Sequence, residues 1–321
     1  MIRFTSLARL ALSEYFVLAL TLVWLLAMLP FVPGLGTPEN LKNIVSSALP
    51  LLILAVGQTI VMISGGIDLS VTAVIAWASI TGGLTISADG GLLAGHALAP
   101  AAGVIAMLAC GLFAGLLNGL AVAVFRIPAF LATLTSMTFF GGLAIWMTKS
   151  KNLHRLPEAF NAIGREMPLS ALVTVLVAVL AWWLLRGSNA GRWFYALGAN
   201  PRAALVSGVP VKAVTFAAYA ASGLCAALAS VLYTGRLETA SPVMGQRVLL
   251  DVIGAVVIGG VSLTGGRGEL HWTAFGVFFM TVIDNSLNLL GLSNFGILMA
   301  KGLVILAAAL VDSWRNRYAA A

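Results

Sequence analysis

Charge is what this sequence has least of. Only 29 of its 321 residues, 18 Lys or Arg and 11 Asp or Glu, are ionised at neutral pH. That is 9%, where a soluble domain carries about 25%. Hydrophobic residues make up 60%, and the mean hydropathy is +1.01. No stretch is polar enough to stand alone in water, so residues 1–321 read as a single all-α polytopic membrane domain. The two cysteines, Cys110 and Cys225, both sit in apolar runs and exclude a disulfide framework. The three histidines, His96, His154 and His271, fall in separate loops, and no metal site is expected. No Gly-x-x-x-x-Gly-Lys-Ser/Thr loop is present, so ATP hydrolysis is not expected on this chain. No series of acidic groups and histidines lies within the apolar runs, as proton-driven pumps require. No acid/base or nucleophile pair recurs at reachable spacing, which removes support for an intramembrane enzyme. The net charge of +7 and pI near 9.9 would suggest nucleic acid in a soluble protein. Here the basic residues are scattered through short loops, as the positive-inside bias explains, and no nucleic-acid partner is expected.

What the sequence does have is apolar runs near the length of a membrane helix, about 20 residues for a bilayer core of about 30 Å. They fall at 15–33, 44–63, 70–87, 98–125, 129–148, 168–186, 213–234, 248–263, 272–290 and 295–312, about ten transmembrane helices. Ten spans put both termini on one side. A cytoplasmic N-terminus gathers Arg3, Arg9, Arg126, Arg186, Arg192, Arg202, Lys212, Arg267, Arg315 and Arg317 inside. Lys42, Lys149, Lys151, Arg155, Arg165, Arg236 and Arg247 then lie outside, a modest bias in the expected direction. Arg3 and Arg9 precede a long run without a small-residue cleavage site, so that run reads as an uncleaved first span. Trp182, Trp183, Trp272 and Trp314 near inner ends, and Trp146 near an outer one, suit interfacial anchoring. The run at 248–263 is short. Either it extends outward through Arg247, four residues before Asp251 and able to pair with it, or it is a half-span buried in protein or lining a cavity.

One segment differs in kind. Ala190–Lys212 is amphipathic and well punctuated. Asn200 suits an N-cap, Pro201 the first helical position, Gly208 a left-handed stop and Pro210 a block beyond it. These predict a helix of about two turns from Pro201 to Ser207, too short to hold without something to dock against. Elsewhere, Gly111, Gly115 and Gly119 form a small-residue face suited to close helix packing. Gly65-Gly66-Ile67-Asp68-Leu69-Ser70 is faintly echoed by Gly259-Gly260-Val261-Ser262-Leu263-Thr264, a hint of an internal repeat.

Ionisable groups within or beside spans are costly in lipid and are candidates for function. Asp68 reads either as an N-cap of the third span, with Ser70 as competitor, or as a lining group at the inner mouth of a pathway. Asp284 and Lys301 are equidistant from the turn between the last two spans, and an ion pair between them is expected. Asp251 completes the set. Gln58, Asn118, Thr133, Thr135, Ser136, Thr138, Asn285, Ser286 and Asn288 add uncharged polarity. Such groups suit a hydroxyl-rich solute or interhelical bonding. The translocation-path candidates are Gln58, Asp68, Ser70, Asn118, Thr133, Asp251, Asn285 and Asn288.

Read together, these motifs resemble the permease subunits of bacterial ATP-binding cassette importers for sugars, the ribose/xylose/galactoside branch. The matching stretches are Ser64–Val71 (SGGIDLSV), Gly115–Leu134 (GLLNGLAVA with IPAFLATL) and Ala196–Val209 (ALGANPRAALVSGV). Asp251–Gly268 (DVIGAVVIGGVSLTGGRG) and KGLVILAAALVD near the C-terminus continue the likeness, which runs from about residue 40 onward. The resemblance implies a non-catalytic pore subunit of the plasma membrane that binds no cofactor and pairs with itself or a paralogue. It implies two partners: a cytoplasmic ATPase that uses the ATP, and an extracytoplasmic protein that delivers a monosaccharide or polyol. It also implies that the Gly-x-Asn-Pro loop contacts the ATPase, here Gly198, Asn200, Pro201 and Arg202, with Ala203, Ala204, Ser207 and Gly208 as contact or cap positions. The chain departs from the family at Leu249 (usually Glu), Thr72 (usually Gly), Ala129 (often Pro) and Leu270-His271-Trp272. The competing reading is a self-sufficient secondary transporter or channel.

Overall fold

The computed structural model describes residues 15–319, with side chains through Leu310. Arg3 and Arg9 lie outside the described residues, as do the side chains of Trp314, Arg315 and Arg317. Among the described residues helix is the only extended regular element, with one isolated antiparallel bridge between Leu153 and Ala240. The helices are α1 (Phe16–Met28), α2 (Pro38–Ile63), α3 (Val71–Ile86), α4 (Ala99–Ala123), α5 (Ala129–Thr148), α6 (Glu158–Arg165) and α7 (Met167–Gly187). They continue as α8 (Asn189–Ala199), α9 (Pro201–Val206), α10 (Val211–Leu237), α11 (Val248–Ile258), α12 (Leu270–Leu289) and α13 (Asn294–Ala319).

Five of them, α2, α4, α5, α7 and α10, are long and apolar enough to cross a membrane. Two of these expose their apolar side chains along their length: Leu172, Val175, Leu176, Val179 and Leu180 on α7, and Phe130, Leu131, Phe139 and Trp146 on α5. In water such faces would drive aggregation; in lipid they are the ordinary outer surface. The chain is a multi-pass membrane protein.

α10 is the hub, packing against α2, α3, α4, α6 and α8. The glycine face on α4 makes that possible. A Cβ on Gly111 would stand 2.2 Å from the Gly223 carbonyl oxygen, and one on Gly115 would stand 2.3 Å from that of Tyr219. The α4 and α10 backbones therefore touch, recovering dispersion where the hydrophobic effect gives nothing.

The largest departure from the expected spans is at 248–263. α11 has only 11 residues and ends at Ile258, about 16 Å at 1.5 Å per residue. Arg247 stands at its N-cap rather than in an outward extension and makes no ion pair with Asp251. Val252 and Gly254–Ile258 are buried, so α11 is a short helix enclosed by protein, where a free backbone end finds partners that lipid lacks. Two helices went unread: α6, and α8 with Ser188 as its cap. Trp272 is half-buried against the ring of Tyr15, 5.5 Å away, and packs instead of anchoring.

The internal echo has a structural counterpart with a slip. Gly65 and Gly260 both end a helix at φ +82°. The next N–H, of Gly66 or Val261, donates five residues back to Val61 or Val256. The helix stops thus align Gly65 with Gly260, one residue off the sequence register. The side-chain turns that follow, Ser70 onto Asp68 and Thr264 onto Ser262, keep that register.

Candidate functional site

At one end of the bundle three glycine segments meet. Gly198, near the end of α8, is wedged between the ends of α2 and α11: a Cβ there would fall 1.9 Å from the Ile63 carbonyl oxygen and 2.5 Å from Gly266 N. Gly266 donates to that same Ile63 carbonyl at 2.9 Å, and Tyr195 of α8 donates to the Gly268 carbonyl at 2.8 Å. Burial, then the nearby Glu269 carboxylate, raises the Tyr195 phenol's pKa and keeps it a donor. The two echo loops are therefore clamped by the segment that leads into α9.

α9 forms as its punctuation predicts. Asn200 Oδ1 accepts from Arg202 N and Ala203 N at 3.0 and 3.1 Å. The helix ends at Val206, with Ser207 as C-cap and Gly208 at φ +82°. Ala204 corrects one expectation. It is 4% exposed and faces the chain's own core, so it cannot offer its side chain to a partner. The outward face is Arg202, Ala203, Leu205 (64% exposed) and Val206 (89% exposed).

From this junction the chain leads directly into a buried polar network. Asp68 is 1% exposed. Its Oδ1 accepts from Ser70 N (2.9 Å) and Ser70 Oγ (2.6 Å), and its Oδ2 from Ser222 Oγ of α10 (2.8 Å). Because Ser70 spends its proton on Asp68, it accepts from Asn118 Nδ2 of α4 (2.8 Å), and Asn118 Oδ1 accepts from Ser136 Oγ of α5 (2.5 Å). One acceptor thus sets every hydroxyl across four elements. Thr133 stands at the edge, its hydroxyl on Ala129 O at 2.8 Å and within 3.4 Å of Ile67 O. Asp68 is not the N-cap of α3. Ser70 occupies the cap position, without a side-chain cap bond.

At the opposite end of the same helices lies a cavity of about 460 Å³. Asp251, Asp284, Asn288 and Lys301 line it, with Tyr233, Arg236 and Arg247. Lys301 lies 2.5 Å from Asp284 Oδ1 and 2.9 Å from Asp251 Oδ1, with a hydrogen bond to Asp251 Oδ2 at 3.1 Å. Asp251's partner is thus on α13 rather than at Arg247. Asn288 donates to Asp284 Oδ2 at 3.2 Å.

The remaining candidates are scattered. Asn285 exchanges two 2.9 Å hydrogen bonds with Asn40, tying α12 to the start of α2, and does not line the cavity. Gln58 is wholly buried on α2 with neither amide atom bonded to protein, and no hydrogen bond joins it to Asp68. Ser222 and Tyr233 escaped the sequence reading, and Arg236 was read there only as an outer-loop cation, whereas it lies in the last turn of α10. Ser222 is one of many small residues on α10, and its role appears only when α10 is laid against Asp68.

Residues 40–309 match the family model described as the permease component of the branched-chain amino acid transport system. The chain belongs to that family. It is 38% identical over 287 residues to the ribose import permease protein RbsC of Bacillus subtilis (strain 168), covering 87% of this chain and 86% of that one. With RbsC of Escherichia coli (strain K12) it shares 35% over 289 residues, 88% of each. With the L-arabinose transport system permease protein AraH of E. coli K12 it shares 32% over 309 residues, 95% of this chain and 92% of that one. No solved structure matches the chain. The ribose and arabinose permeases are transport proteins, and the family is one of permease components.

Proposed function

We propose that this chain is the membrane-spanning subunit of an ATP-driven importer that passes a monosaccharide or related polyol. The observation that carries the reading is similarity over most of the chain to permeases named for ribose and arabinose, against a family description that names amino acids. In this reading an extracytoplasmic binding protein delivers the solute to a bacterial plasma-membrane dimer, either of two copies or with a second permease. A separate ATPase binds and hydrolyses the ATP; this chain binds no cofactor. Ten segments cross or enter the membrane, α11 only halfway, and both termini are cytoplasmic. α9 is the coupling helix. Leu205 and Val206 are its contact to the ATPase groove, Ala204 seats it on the bundle, and Gly198 hands its motion to the loops after α2 and α11. The Asp68 network ties the α2–α3 loop to α4, α5 and α10, so that they move together.

The test is reconstitution with the ATPase and binding protein of the same importer. Val206→Glu is expected to abolish ATPase pull-down and sugar uptake while the protein still inserts and elutes as one species. Undiminished uptake by V206E would remove α9 from the coupling role. ATP-insensitive uptake by the purified chain alone would replace the importer with a self-sufficient transporter.

A further inference from the structure

We infer that the cavity between α2, α10, α11, α12 and α13 is a sugar-binding vestibule within a single copy of the chain, with Asp284, Arg236 and Tyr233 as its binding groups. The inference rests on the importer reading and locates one step of it.

The position comes first. The cavity uses the start of α2, the end of α10, the start of α11, the end of α12 and the start of α13. The Gly198 junction uses the other ends of α2, α11 and α12. The cavity and α9 therefore face opposite sides of the membrane, and a solute released outside meets the cavity before the Asp68 network. Its volume of about 460 Å³ falls within the roughly 300–1,000 Å³ of small-molecule sites.

Its chemistry selects the ligand class. The recess is lined by two carboxylates, Asp251 and Asp284, and three cations, Lys301, Arg236 and the exposed Arg247. Lys301 is spent on the two carboxylates, but the acceptor capacity of Asp284 is not. Asp251 Oδ1 is buried and 2.9 Å from Lys301 Nζ, so Asp251 stays with the lysine. Asp284 is 46% exposed and accepts from Asn288 at 3.2 Å. Arg236 has one hydrogen bond to a side chain, to Ser47 Oγ at 3.0 Å, of the five N–H groups it carries. The half-buried Tyr233 presents a phenol with no hydrogen-bond partner among the described residues. Free carboxylate lone pairs, free guanidinium donors and one aromatic ring match a cyclic polyol. Its hydroxyls donate to carboxylate, accept from arginine, and its C–H face lies on the ring.

The experiment uses the permease, ATPase and binding protein in proteoliposomes, with tritiated D-ribose and L-arabinose as probes. Uptake and ATP hydrolysis are measured together for Tyr233→Leu and Arg236→Gln, neither of which removes a member of the Lys301 cluster. The sugar moved per ATP hydrolysed is expected to fall about tenfold, the scale of a lost hydrogen bond to a charged group. An unchanged ratio in both variants overturns the vestibule, whether the two rates stay level or fall together as misfolding would make them. As a second measurement, Asn288→Cys treated with a charged thiol reagent from the binding-protein side is expected to lose uptake. Uptake that survives complete labelling overturns the site. A wild-type complex that moves neither of these sugars, nor any other tritiated pentose, hexose or polyol, overturns the importer reading, and the vestibule with it.

Discussion

Asp68 shows how much one buried carboxyl group can organise. It has no cation among its hydrogen-bond partners; three donors from Ser70 and Ser222 satisfy it, and the direction of the Asn118 and Ser136 bonds follows from its being an acceptor. Asp68→Leu removes the acceptor and strands the Ser70 and Ser222 hydroxyls in the core. We expect it to cost about 2–6 kcal/mol, since each of the two stranded buried polar groups costs about 1–3 kcal/mol. Asp68→Asn keeps an oxygen for Ser70 and offers its amide to Ser222, whose hydroxyl can turn to accept, so it should be markedly milder. Thermal unfolding of the detergent-solubilised protein, followed by loss of the monodisperse peak, ranks the two. Equal losses would mean that the network does not hold the fold. In the sequence Asp68 and Ser70 stand out by type and spacing, but Ser222 sits 154 positions on from Asp68 in an apolar helix. Nothing local distinguishes it from its neighbours. Gly198 is similar: the motif flags it, while the reason, a carbonyl 1.9 Å from where a Cβ would go, belongs to another helix.

At the scale of elements, Lys301 bolts α13 onto α11 and α12 by two carboxylates of unequal worth. The lysine and Asp251 side chains are 6% and 17% exposed, and Asp284 is 46% exposed. Lys301→Met leaves two adjacent carboxylates without a counter-charge and should destabilise by about 3–5 kcal/mol, the scale for one partner removed from a buried pair. Asp251→Asn leaves the lysine with one half-exposed partner and should cost less. Asp284→Asn leaves the buried pair intact, and solvent screening limits its cost to about 1 kcal/mol or less. The measurement is the same thermal series, and a reversed order would mean that α13 is held by packing alone. Turn symmetry points to Asp284 as the partner of Lys301, and the structure adds Asp251 because α11 is short. A full-length span would have carried its first turn, and Asp251 with it, out of reach. Element existence was legible wherever apolar length or capping residues marked it, as at α9. α6 and α8 were not, because their polar faces resemble loops until the helices they lie on are known.

At the scale of the whole molecule, the bundle has two opposed ends, and the roles of α9 and the cavity depend on which side each one faces. The loops at 64–70, 188–210 and 259–269 gather at one end, bound through Gly198, Gly266 and Tyr195. The loops at 87–98, 149–157 and 238–247 gather at the other, where Ala88 N donates to Arg155 O and Leu153 pairs with Ala240. The bias in basic residues assigns the first end to the cytoplasm, but ten residues against seven is a narrow margin. Single-cysteine labelling decides it independently of transport. Val206→Cys on α9 and Leu92→Cys in the α3–α4 loop place thiols at positions 89% and 86% exposed, one at each end. The native Cys110 and Cys225 are both buried and give a low background. In intact cells a membrane-impermeant thiol reagent should label Leu92→Cys and spare Val206→Cys; after permeabilisation both should react. The opposite pattern would turn the molecule over, putting α9 outside, beyond reach of any ATPase, and the Asp251 cavity inside. Labelling of both in intact cells would mean that the ends are not separated by a membrane at all. The asymmetric result is the one that makes the cavity an entrance and α9 a lever.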